Sequence, residues 1–133
     1  MQTESEIKLE RYNTVKKEAD KFGRIIGVRR LKPSEQTKLS GMTADLTGYD
    51  EVMNNTGEMV RIPHSMPLRI AAAVCLIVGQ DGTEARIPFP RNRAELDAIY
   101  DRLDAEGMAA AGNALVKLSA DEIATDPLDE AKN

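Results

Sequence analysis

The one long apolar run in this chain is Ile70 to Val78, and it limits what the rest can fold around. Val74, Ile77 and Val78 are β-branched, which suits a buried pleated surface, so the run predicts a strand. Gly79-Gln80-Asp81-Gly82 follows, and these residues tolerate the positive φ that a chain reversal needs. Ala85, Ile87 and Phe89 then alternate with Glu84, Arg86 and Pro88, the pattern of a strand with one buried face. Pro88 and Pro90 lack an amide donor, which puts this return strand at a sheet edge or ends it. The apolar run is also far shorter than the roughly 20 residues that cross a bilayer.

Aromatic residues make up only 4% of the chain and Trp is absent, so the core must come from Leu, Ile, Val, Ala and Met. A length of 133 residues suits one domain. The net charge of −4 argues against a duplex-binding protein, which usually presents a basic face. One cysteine excludes an internal disulfide, and the polar, acidic N-terminus does not resemble a secretion signal. The expectation is a cytoplasmic protein with no membrane association.

Along the chain, residues 1–11 are polar and predict a flexible lead, with a single domain over 12–118. Tyr12 to Phe22 fits either helical spacing or a strand ending in the turn Asp20 to Gly23. A hairpin with the strand Arg24 to Leu31 is the reading adopted. Pro33 and Glu35 mark a helix start, Leu39, Met42 and Leu46 continue it, and Gly48 ends it. Thr47 to Met66 reads as a long irregular loop, with a turn at Asn54 to Gly57 and a short strand at Met59 to Ile62. Asn92 and Glu95 form a capping box for a helix whose stripe is Leu96, Ile99, Tyr100 and Leu103. Gly107 stops that helix, and Met108, Ala111, Leu115 and Leu118 define a second one. The acidic segment 119–133 reads as a disordered tail. The fold class is therefore α+β: two β-hairpins, a helix between them, two C-terminal helices and a tail.

Grouped reactive side chains are scarce. His64 and Cys75 are the single residues of their types, and Cys75 falls inside the apolar run, where a thiolate is disfavoured. It reads as core filler, and His64 as surface. A small enzyme built on this pair is the weakest functional reading. One His and one Cys fall short of a zinc ligand set. Asp97, Asp101, Asp104 and Glu106 read as a solvated helix face paired with Arg93 and Arg102. The turn at Gly79 lacks the lysine of a phosphate loop. No cofactor or metal is expected. Arg24, Arg29, Arg30 and Lys32 form a possible basic face, near Lys16, Lys17 and Lys21. The alternative function is accordingly a small nucleic-acid-binding regulator using that strand, although stacking aromatics do not accompany it.

The segment Gly23-Arg24-Ile25-Ile26-Gly27-Val28-Arg29-Arg30-Leu31-Lys32-Pro33-Ser34-Glu35 resembles the opening of the tail assembly chaperones of tailed phages and prophages. Ala71 to Val78, the Asp81-Gly82 turn, Pro88-Phe89-Pro90 and the helix from Glu95 to Gly107 extend the resemblance, while Gly48 to Pro67 is atypical. The resemblance implies a non-enzymatic helper that holds the tape-measure protein while the tail tube polymerises around it. It implies the tape-measure protein as partner, with the tail tube protein and self-association as further expectations. The stripes Leu96, Ile99, Leu103, Met108, Leu115 and Leu118 are its candidate partner-binding residues, against the plainer reading that they are core. Lys132-Asn133 is encodable by an A-rich run, and the resemblance implies a longer second product of the kind that many family genes make by ribosomal slippage near the stop.

Overall fold

The computed structural model describes Thr3 and residues 11–125, with side chains as far as residue 121. The rest of the expected flexible lead, and residues 126–133 of the expected tail, lie outside the described residues. The elements run β1 (Val15–Ala19), β2 (Ile25–Arg29), α1 (Pro33–Met42), β3 (Tyr49–Met53), β4 (Met59–Pro63), α2 (Met66–Ala73), β5 (Val74–Val78), β6 (Glu84–Arg86) and α3 (Arg93–Thr125). The fold is α+β. An antiparallel sheet has the order β1-β2-β5-β6, and β3 pairs with β4 in a second, two-stranded sheet.

The ambiguous segment before Gly23 is a strand because Asp20 builds the turn after it. Its carboxylate accepts the amides of Phe22 at 2.9 Å and Arg24 at 2.8 Å, an Asx turn that closes the hairpin. In β2, Ile26 and Val28 are fully buried under the helices, while Ile25, Gly27 and Arg29 face the other side of the sheet. Gly27 permits close strand packing: a Cβ there would sit 3.0 Å from the Cβ of Leu76 and from Cγ1 of Val15. In α1, the Glu35 carboxylate reaches back to the Lys32 amide at 2.9 Å and takes both guanidinium nitrogens of Arg29 at 2.6 and 2.8 Å. This helix ends at Met42 rather than Gly48. Both the amide and the hydroxyl of Thr43 bond to the Leu39 carbonyl, closing the last turn.

The apolar run divides. Ile70 to Ala73 belong to α2, which starts with Pro67 in its first turn, and the backbone becomes extended only at Val74. Alanine is the best helix former, and the β-branched residues begin where the helix stops. Gly27 pairs with Leu76 and Val28 with Val74, so Cys75 is the extra residue of a β-bulge. It is half-buried rather than in the core. β6 is the edge strand and ends before Pro88, as its prolines require.

Asn92 caps α3 through the Glu95 amide at 2.9 Å, but the Glu95 carboxylate turns to Arg91 instead of completing the box. The corner between the two helical halves falls at Asp104, with φ 52° and ψ −169°, not at Gly107. Asp104 caps the second half, its Oδ1 accepting the amides of Glu106 at 3.0 Å and Gly107 at 3.3 Å. The last carbonyls of the first half are taken by Arg24, from Nη1 to Arg102 at 3.1 Å and from Nη2 to Leu103 at 2.8 Å. One guanidinium thus satisfies a helix end that would otherwise be orphaned. The second half continues to Thr125, so residues 119–125 are helical rather than tail. Lys16 pairs with Asp121 and Lys117 with Glu18, both at 2.8 Å, tying this half to β1.

Leu96 and Leu103 share one buried cluster with Ile26, Val28, Val74 and Ile77 of the sheet, Leu68 of α2, and Ala71, Ala110, Ala111 and Ala114, and Leu118 is buried farther along α3. Ile99, Met108 and Leu115 pack at the margin of the same core. The predicted partner-binding stripe is therefore mostly internal. No helix among the described residues is long and apolar enough to cross a membrane.

Candidate docking surface

The segment expected to be a long loop is a projecting β-arm. Asn54 makes its turn, Oδ1 accepting the amides of Thr56 at 3.0 Å and Glu58 at 2.9 Å. Every residue of β3 and β4 is exposed. A two-stranded hairpin is marginal in water without a surface to pack on. Even so, this one carries large apolar side chains into solvent, Met53 at 64% and Met59 at 57% exposure among them. Register sorts its two faces. Tyr49, Glu51, Met53, Met59 and Arg61 lie on one, where the Arg61 guanidinium stacks 4.5 Å from the Tyr49 ring centre. Asp50, Val52, Val60 and Ile62 lie on the other.

The second face runs into a groove. A concavity of about 580 Å³ opens between the root of the arm, α2 and the corner of α3. Ile62 comes from the arm, Met66 and Ile70 from α2, and Tyr100 and Met108 from either side of the corner. Met66 and Tyr100 are more than a third exposed. The charged residues that line it are Asp101 and Asp104. The corner at Asp104 falls within this wall, between Tyr100 and Met108.

His64 fixes the arm where it leaves the domain. Its amide bonds to Gly48 O at 3.1 Å, and its ring lies against Gly48, where a Cβ would meet Nδ1 at 3.3 Å. The φ of +86° at Gly48 favours glycine a second time. Nδ1 faces the Thr47 carbonyl at 2.8 Å and Nε2 faces the Asp50 carboxylate at 3.0 Å. Both partners are acceptors, so the ring satisfies both only as an imidazolium. The Asp50 hydrogen bond, then the Thr47 carbonyl, raise its pKa above 6.5. A raised pKa means the latch is complete below pH 6.5 and is lost as the pH climbs through the folded value. Amide exchange of the arm is expected to quicken across that interval, beyond the intrinsic pH effect, and His64→Ala to remove the extra step. An arm whose protection follows only the intrinsic curve would contradict the latch.

The other candidates from the sequence are not assembled. Arg24 and Arg29 point to opposite faces of the sheet, and each is ion-paired, Arg24 with Asp20 and Arg29 with Glu35, both at 2.6 Å. Arg30 and Lys32 are exposed beyond the strand, so the four do not form one basic stripe. Cys75 and His64 have separate surroundings. Cys75 donates weakly to the Gly27 carbonyl at 3.6 Å and lines a different cavity of about 490 Å³ with Val15, Arg29, Leu76 and Arg86. Burial pushes its thiol pKa up, against the pull of Arg29 and Arg86. Arg93 bridges Asp97 and Asp45, and no group of three potential metal ligands occurs among the described residues. Sequence reasoning placed the turn at Asn54 to Gly57 and the strand at Met59 to Ile62 but missed β3 and the groove. The available signal was Tyr49 and Val52 facing Met59 to Ile62 across Asn54-Asn55-Thr56-Gly57, together with Asp104 as a helix-capping residue. No family model, curated protein or solved structure matches the chain.

Proposed function

We propose that this chain is a non-enzymatic assembly helper of the tail assembly chaperone kind, lending an apolar surface to a tape-measure protein during tail assembly in the cytoplasm of a bacterial host. The observation that supports it is the exposed apolar arm continuous with a groove between helices. Monomeric proteins rarely present such contiguous apolar surface unless something covers it. Met66 and Met108 in the groove, with Met53 and Met59 exposed on the other face of the arm, supply adaptable contacts, which suit a helper that must hold varied segments and release them. A tape-measure protein is a long helical chain whose apolar stripes aggregate until the tube encloses them. The test is co-expression with the tape-measure protein of the same genome. The expected result is a soluble complex of the two. A tape-measure protein that precipitates equally with and without this chain would overturn the reading.

A further inference from the structure

We infer that the groove between the arm, α2 and the corner of α3 takes an amphipathic helix whose apolar stripe is flanked by lysine or arginine. The inference rests on the reading above and adds the conformation and charge of what is held. Conformation follows from the walls. The interiors of α2 and of both halves of α3 satisfy their own backbone groups and Arg24 takes the carbonyls at the corner, so apart from the arm's edges and the uncapped first turn of α2 the groove offers no row of free amides or carbonyls. A segment entering an apolar groove must keep its own backbone groups bonded, because each buried unpaired one costs free energy. A helix does so and an extended strand does not. Tyr100 and Met108 stand on either side of the corner at Asp104, so this wall is made of two helical faces.

Charge follows from the rim. The charged lining residues are both carboxylates, and Asp50 adds a third on the arm face that adjoins the groove. Asp104 is engaged by Arg24 at 3.2 Å, and Asp50 by His64. Asp101 is exposed on the lining. Arg61, the basic residue of the arm, belongs to the face turned away. An incoming helix with acidic flanks would meet like charge at Asp101, and one with basic flanks would meet its complement.

Two labelled peptides of about 20 residues, long enough to hold a helix, test this against the full chain. They share one Leu stripe and differ in Lys or Glu flanks. Fluorescence anisotropy is expected to show the Lys peptide binding about tenfold or more tighter at low salt, and Asp101→Lys to erase or reverse that order. Met108→Asp is expected to abolish binding. Ile62→Asp, at an exposed arm residue, does the same without touching the core, so a misfolded Met108 variant leaves the test decisive. Equal binding of both peptides, or unchanged binding in Ile62→Asp, overturns the inference. So does a concentration-dependent dimer that Ile62→Asp dissolves, since the occupant is then a second copy. If neither peptide binds and the tape-measure protein is still kept soluble, the inference falls and the wider reading stands. If the Lys peptide binds as described and the tape-measure protein still precipitates, the wider reading falls and the groove assignment stands.

Discussion

Leu103→Ala is expected to lower the unfolding free energy by about 2–5 kcal/mol, the range for truncating a fully buried leucine. Leu103 has no exposed surface, sits one residue before the α3 corner and packs against the sheet core. The corner geometry is held by Asp104 and Arg24, so the wall cannot collapse freely into the space left. Total stability for a domain is about 5–15 kcal/mol, so the loss is a large fraction of it. Val116→Ala provides the contrast. Val116 is 71% exposed on the same helix and its loss should stay within about 0.5 kcal/mol. Urea unfolding of the two variants checks the point. The comparison also separates core from docking surface: a Leu103 that served a partner would lose affinity on truncation and keep its stability. A Leu103→Ala variant as stable as the parent would mean that the stripe is not core.

Arg24→Ala is expected to cost about 3–5 kcal/mol, the range for removing one partner of a buried ion pair. Arg24 does three things at once. It pairs with the fully buried Asp20 carboxylate at 2.6 Å, takes the Arg102 and Leu103 carbonyls, and reaches Asp104. Its loss leaves Asp20 buried without its cation and the end of the first half of α3 without donors. Arg24→Lys should recover only part, because one ammonium cannot fork to a carboxylate and two carbonyls. An exposed pair would give 1 kcal/mol or less, so a loss that small would show that Arg24 is not the staple. The pair also sets an acid limit. Burial raises the Asp20 carboxyl, but the hydrogen bonds and charge of Arg24 and the Phe22 amide outweigh it, and the net pKa is below 3.8. A lowered carboxylate stabilises above its unfolded value and loses that contribution as the pH falls through the folded one. The Arg24 contribution should therefore be full above pH 3.8 and shrink below it.

Much of the fold was legible wherever a local pattern coincided with burial. Pro33 and Glu35 announced α1, the prolines after Arg86 announced an edge strand, and Asp20 to Gly23 announced a turn. The errors have physical causes. The run from Ile70 to Val78 is apolar throughout, and periodicity alone cannot tell a buried helix from a buried strand. Pro67 and the three alanines were the usable distinction. Gly107 drew the helix break towards itself because glycine is the usual stop. The break falls three residues earlier because Arg24, distant in sequence, supplies donors to the carbonyls there. The β3 half of the arm was read as loop because the arm buries neither face and so lacks the alternation that marks a strand. Its apolar and charged residues appear on both sides.

The composition and local pattern of this chain determine an α+β domain with a Leu, Ile, Val and Ala core. Those properties depend on near neighbours and on the period of the backbone. Which apolar residues remain outside was decided only in three dimensions. Leu103 and Met53 look alike as letters, yet one closes the core and the other stands on a projecting strand. That difference depends on which surfaces the sheet and α2 have already covered, a quantity set by contacts between residues far apart in the chain.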